Sequence, residues 1–340
     1  MKAFQVKAPH DYQVADVEVP TAAAGEVRVR VAFAGICGSD MHIIHGDNAF
    51  VRFPRITGHE FAGVIDAVGE GVADVAVGDR VCVDPVISCG TCYPCRIGRP
   101  NVCGALEVIG VHRNGGFEEF VAVPAANVHK LPDHISLDAA ALVEPYTIAA
   151  NVLDRMQPHP GDRLLILGAG VIGMTILQMA RALGIEEIIV TDVINERLEA
   201  AKALGATHVL NSRDQDVEKE VLALTQGEGV PLIADAACVP ALLPQMLRLA
   251  SPAGRIGLLG FSVQPSDLVQ LEVIKKELTL VGSRLNNRKF PEVLALMASG
   301  KLDPLALVSH RLPLSDMPGA IDMLDHRPEE ARKVLIQVSA

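Results

Sequence analysis

The chain has 340 residues, 49% of them hydrophobic, with seven cysteines and 41 acidic against 30 basic side chains. That length fits one large or two ordinary domains and can bury ample apolar surface, which excludes a disulfide-stapled miniprotein. A formal net charge of -11 argues against nucleic acid as a partner, because such binding rests on a basic surface that releases counterions.

The opening MKAFQVKAPHDYQVADVEVP alternates and holds no apolar run of signal-peptide length. The protein is therefore read as cytoplasmic, with reduced thiols. No membrane partner is expected, since LLILGAGVIGMTILQMA (164–180) is interrupted by three glycines and a glutamine and reads as strand, turn and helix.

From Gly25 to Val83, the segments EVRVRVAFAG, HEFAGVIDAVG and DRVCVD alternate or run apolar between glycines, the pattern of a β-rich unit. Within it, GICGSDMHIIHG (35–46) and GHEFAG (58–63) hold Cys37, Asp40, His42, His59 and Glu60. Cysteine and histidine beside a carboxylate suit a catalytic zinc, which keeps one coordination position open. Taken singly, His59 also reads as a hydrogen-bonded core histidine and Cys37 as a small buried residue.

The next stretch, DPVISCGTCYPCRIGRPNVC, places Cys89, Cys92, Cys95 and Cys103 within fifteen residues. Reduced cysteines this close point to a metal. Four thiolates around zinc need short, turn-rich spacers, which Gly90, Pro94, Gly98 and Pro100 provide, and such a closed site is structural. The alternatives are an iron–sulfur cluster, whose ferredoxin spacing matches only at the first three cysteines, and four unligated thiols.

From about residue 160 the texture changes. LLILG, EIIVTD, THVLN, PLIADAA and RIGLLG alternate with helical segments such as INERLEAAKALG, as βαβ units of a parallel sheet do. The first of these strands leads into Gly168-Ala169-Gly170-Val171-Ile172-Gly173, a GxGxxG that opens a helix. Its glycines permit a tight turn, approach of a pyrophosphate and close helix–sheet packing. EIIVTD then ends in Asp192, where a carboxylate meets ribose hydroxyls and repels a 2'-phosphate, so the cofactor is read as NAD rather than NADP. Arg197 is a candidate lid on the adenine side. Cys82 and Cys238 read as buried strand-end thiols. Arg284, after the strand LTLVG, is the candidate for holding a carboxylate end of a substrate. KFPEVLALMASGKL reads as an amphipathic helix capped by Gly300 that rejoins the first domain.

In fixed order, GICGSD, GHE, CGTCYPC with a later cysteine, VEP, GAGVIG and Asp192 resemble the zinc-dependent medium-chain dehydrogenases along nearly the whole chain. Within them the chain is similar to the sorbitol, threonine and sugar-acid enzymes. GEVRVRVAFAGICGSD, DPVISCGTCYPCRIGRPNVC and DAACVP resemble a bacterial starvation-sensing branch. The resemblance implies an α/β chain with a GroES-like β-rich catalytic domain (1–147 and 283–340), carrying a structural zinc lobe at about 84–104, and a Rossmann NAD-binding domain (148–282). It implies two zinc ions. Cys37, His59 and Glu144 would ligate the catalytic one, with Glu60 as a neighbouring carboxylate, and Cys89, Cys92, Cys95 and Cys103 the structural one. Asp40 would orient His59, Ser39 would hydrogen-bond the substrate hydroxyl, and His42 would pass its proton to solvent. The expected activity is reversible oxidation of a secondary alcohol of a polyol or sugar acid by a homodimer or homotetramer. The alternatives are an L-threonine 3-dehydrogenase and an NAD-binding metabolite sensor with little turnover.

Overall fold

The computed structural model describes residues 1–339. The chain divides into two compact units at 144/145 and 285/286, against 147/148 and 282/283 expected from the family resemblance.

The first unit is built on a mixed seven-stranded sheet. Its long strand Glu26–Gly35 alternates buried and half-buried residues, as a strand with one face on a core does. That strand pairs antiparallel with Glu60–Val68 and with the C-terminal strand Lys333–Gln337, and Gly35 stands opposite both Glu60 and Leu335. Val27, Val29, Val31, Phe61, Ile65 and Phe117 close the core beneath. One consequence is decisive for the site: the end of Glu26–Gly35 and the start of Glu60–Val68 meet beside the C-terminal strand.

GSDMHIIH, which the sequence shows only as a glycine-bounded segment, is a helix, Gly38–His45. Cys37 is its N-cap and donates its backbone N–H to Asp40 Oδ2 at 2.9 Å. Gly46 ends it with φ 88°, a left-handed conformation that glycine adopts without steric cost.

The second unit is a six-stranded parallel sheet. In space its strands run His208–Asn211, Ile188–Asp192, Leu164–Leu167, Val230–Asp235, Ala250–Leu258, Thr279–Gly282. In chain order that is 3-2-1-4-5-6, the doubly wound dinucleotide-binding arrangement. Leu164–Leu167 and Ile188–Asp192 are buried along their whole length, as parallel strands covered on both faces must be.

Among the described residues all seven cysteines are free, and no helix is long and apolar enough to cross a membrane. Cys82 is buried within Arg80–Val83. Cys238 is exposed, contrary to the sequence reading. It lies three residues past the end of its strand, in a turn with φ 56° whose backbone N–H donates to Asp235 Oδ1 at 2.9 Å.

Candidate active site

The sulfur of Cys37, a ring nitrogen of His59 and a carboxylate oxygen of Glu60 lie within 4.8 Å of one another. His59 and Glu60 adjoin in sequence, and strand residues that adjoin point to opposite faces. They share a side here because His59 precedes the strand and follows Gly58, whose φ of 94° makes the turn.

Asp40 joins the two loops. Fully buried, it accepts the Cys37 N–H through one oxygen and the Gly58 N–H, at 3.1 Å, through the other. That second oxygen stands 3.6 Å from His59 Nδ1, and Ser39 Oγ lies 3.3 Å from His59 Nε2. Burial opposes a charge on His59, but Asp40 and Cys37 outweigh it and hold the imidazole well above its ordinary pKa. His42 is exposed, one helical turn beyond Ser39 and on the same face. Glu144 is buried in the first turn of the helix Val143–Met156. It stands outside the 4.8 Å group, yet near enough for His59, Glu60 and Lys333 to act on it; burial chiefly pushes its carboxyl up to about 8.

Lys333 was missed by sequence reasoning. Its side chain is 1% exposed, pairs with Glu60 and donates to the Ile36 carbonyl at 2.8 Å. Burial disfavours its charge, but Glu60, then Cys37, reverse that and raise its pKa. Gly35 makes the space: a Cβ there would lie 2.8 Å from Lys333 Cε and nearer still to Glu60. A lone lysine opening an apolar strand gives no signal of this in sequence, because such lysines usually reach water.

The four lobe cysteines converge. Their sulfurs lie 3.4 Å apart for Cys92–Cys95 and Cys89–Cys103, and 3.7 Å for Cys92–Cys103. These separations are too long for disulfides. They are close to the roughly 3.8 Å edge of a tetrahedron with metal–sulfur bonds of about 2.3 Å. Backbone N–H groups of Cys89, Cys92, Gly104 and Ala105 already point at sulfur, from 3.3 to 3.4 Å. Backbone N–H groups of Thr91 and Cys92 bring Cys89 down to about 5, while burial raises Cys95 to about 11. The donor set fits zinc.

In the second unit, Gly168 turns with φ 95°, and a Cβ on it would meet the Ala237 nitrogen at 2.8 Å. A Cβ on Gly173 would overlap the Gly168 carbonyl. Nothing lies within 4 Å of one on Gly170, which caps the helix Val171–Ala182, so the chain itself does not require that glycine. Open space at a helix N-terminus suits an approaching phosphate. Asp192 accepts N–H groups of Ala169 at 2.7 Å, Val193 at 2.8 Å and Ile194 at 3.0 Å. A carboxylate has about four acceptor positions, which leaves one for a ribose hydroxyl. Arg197 is half-buried on the following helix, and the Arg284 guanidinium lies 6.0 Å from the Phe261 ring.

Residues 23–133 match the alcohol dehydrogenase GroES-like domain, and residues 171–299 match the zinc-binding dehydrogenase domain. Starvation-sensing protein RspB of Escherichia coli K12 is 46% identical over 340 residues, the whole of both chains. The chain belongs to the zinc-type medium-chain alcohol dehydrogenase family. Another member of this dehydrogenase family, sorbitol dehydrogenase of Bacillus subtilis, is 33% identical over 99% of this chain and 97% of its own. The crystal structure of an alcohol dehydrogenase, RspB of E. coli CFT073, complexed with cofactor NADH, superimposes with a TM-score of 0.95 at 46% identity, over 99% of each chain. The two units of this dehydrogenase are thus the GroES-like and Rossmann-like domains of its family.

Proposed function

We propose that the protein is an NAD-dependent dehydrogenase that reversibly oxidises a secondary alcohol of a polyol or sugar acid to the ketone. The observation that carries this reading is the convergence of Cys37, His59 and Glu60 within 4.8 Å, with Ser39 Oγ against His59. Cys37, His59 and Glu144 would hold the catalytic zinc, with Glu60 beside it. When bound, zinc supplies Lewis acidity that makes an alcohol proton easier to remove. Ser39 receives that proton and His42, on the exposed face of the same helix, passes it to water. Asp40 keeps the Cys37 and Gly58 backbones in register, and thereby His59 in place. Gly168, Gly170 and Gly173, with the helix amides of Val171, Ile172 and Gly173, would cradle the pyrophosphate, Asp192 the ribose, and Arg197 the adenine side. NAD supplies the hydride acceptor. Cys89, Cys92, Cys95 and Cys103 would hold a second zinc with no open position, which staples their lobe and performs no chemistry. The cytoplasm suits these reduced thiols.

The deciding assay is NADH formation with a panel of sugar acids, neutral polyols and L-threonine. Sugar acids should be oxidised best. Arg284→Ala should raise KM for acids about ten- to a hundredfold and much less for polyols, because a charge-assisted hydrogen bond is worth about 1.5 to 3 kcal/mol. Equal losses on both would make Arg284 structural, and preferred turnover of L-threonine would overturn the substrate class.

Cofactor choice has its own test. Asp192→Ala with Val193→Arg should shift preference toward NADP, since it removes a negative charge and adds a phosphate partner. Better turnover with NADP in the unaltered protein would contradict the role given to Asp192.

Homo-oligomerisation is supported by an exposed apolar run in the second unit. Phe261, Val263, Leu271 and Ile274 are 70%, 98%, 64% and 66% exposed. Such a patch favours association. Light scattering should give a dimer or tetramer that Val263→Asp with Ile274→Asp weakens; a monomeric parent would reject this.

A further inference from the structure

A cavity of about 520 Å³ opens in the first unit, lined by residues of Lys2–Ala8, Arg55–Ile56 and Phe120–Pro124 and of the loops beside them. It shares no lining residue with the proposed zinc and proton-transfer groups. The strand register organises it. Ala3 bridges Glu118, while Gln5 and Val6 pair with Ile56 and Arg55, so an acid and a guanidinium-bearing residue flank one edge of the first strand.

Glu118 is 3% exposed, and among the described residues its carboxyl has no hydrogen-bond or ion-pair partner. The charges around it are occupied. Arg113 binds Glu26 at 2.8 Å, the Met1 ammonium donates to the Val17 carbonyl at 2.9 Å, and His112 Nδ1 accepts the Val108 N–H at 3.0 Å. Arg55 donates from its terminal nitrogens to Asn114 Oδ1 at 3.2 Å and the Arg52 carbonyl at 3.4 Å, which leaves its Nε buried without a partner. Buried polar groups are nearly always satisfied, and leaving one bare costs about 1 to 3 kcal/mol. The unpartnered Glu118 carboxyl lines a cavity of small-molecule size.

We propose that this cavity is a second ligand site, for a small molecule that carries an ammonium group for Glu118. An anion would meet the Glu118 carboxylate unfavourably. A divalent cation needs several oxygen ligands, and the other lining carboxylate, Glu18, is exposed. Burial pushes the Glu118 carboxyl up to about 8. The Met1 ammonium, Glu18, Arg55, His112 and Arg113 are the other charged or titratable groups lining the cavity. A cation therefore binds the ionised acid with loss of a proton, and binding tightens as pH rises toward 8.

Calorimetry on the zinc-loaded full chain tests this with β-alaninamide, an ammonium with an amide carbonyl, against propionamide, which lacks the ammonium. β-Alaninamide should bind at least about tenfold more tightly, the scale of one charge-assisted contact, and more tightly near pH 8 than near about pH 6.5. Glu118→Gln should erase the difference without lowering the unfolding midpoint. Equal affinity for both probes, no binding of β-alaninamide, or a preference that survives Glu118→Gln would overturn the proposal.

Discussion

Cys37→Ser should lower kcat/KM by about three orders of magnitude, remove one of two zinc ions per chain and leave the unfolding midpoint nearly unchanged. Lewis-acid stabilisation by a metal is worth several kcal/mol, and about 1.4 kcal/mol is a factor of ten. The fold should tolerate the change, since serine retains the small N-cap and the backbone N–H that binds Asp40. Cys95→Ser should do the converse: it removes the other zinc and lowers stability, because four sulfurs within 4.8 Å of one another hold the lobe around a common cation. Elemental analysis and thermal unfolding of both variants read this out. Retained turnover in Cys37→Ser, or iron in the parent, would refute the two-zinc assignment.

Lys333→Met should destabilise the protein by about 3 to 5 kcal/mol, the cost of leaving one partner of a buried ion pair uncompensated. Glu60 is itself 1% exposed, so water cannot take over the contact. Adding Glu60→Gln should recover much of the loss, because a neutral pair no longer carries a buried charge. Urea unfolding of the two single variants and the double variant closes the cycle. If the single lysine variant unfolds at the parent's urea concentration, the pair contributes nothing and Glu60 is balanced by another group.

The candidate metal- and cofactor-binding segments were legible because their chemistry is local. A cysteine cluster with short glycine- and proline-rich spacers can close on itself wherever it lies, and its sulfurs do converge. A GxGxxG between an apolar strand and a helix carries its own turn geometry, and Asp192 lies one strand away. The turn at Gly58 that lets His59 and Glu60 share a side is likewise local, set by the one glycine before the pair.

Length, charge, the two textures and the order of the motifs are properties of the sequence by itself, and they determined the family, the parallel sheet and the candidate ligands. What tertiary structure decided rests on residues more than a hundred positions apart. Lys333 reaches Glu60 only because the last strand pairs beside Gly35, and no periodicity reports which distant cation a buried carboxylate will meet. The bare Glu118 belongs to the same class: GGFEEF reads as an ordinary solvated acid until the first strand packs across it and removes the water. Burial is a property of what covers a side chain, and the covering segment comes from elsewhere in the chain.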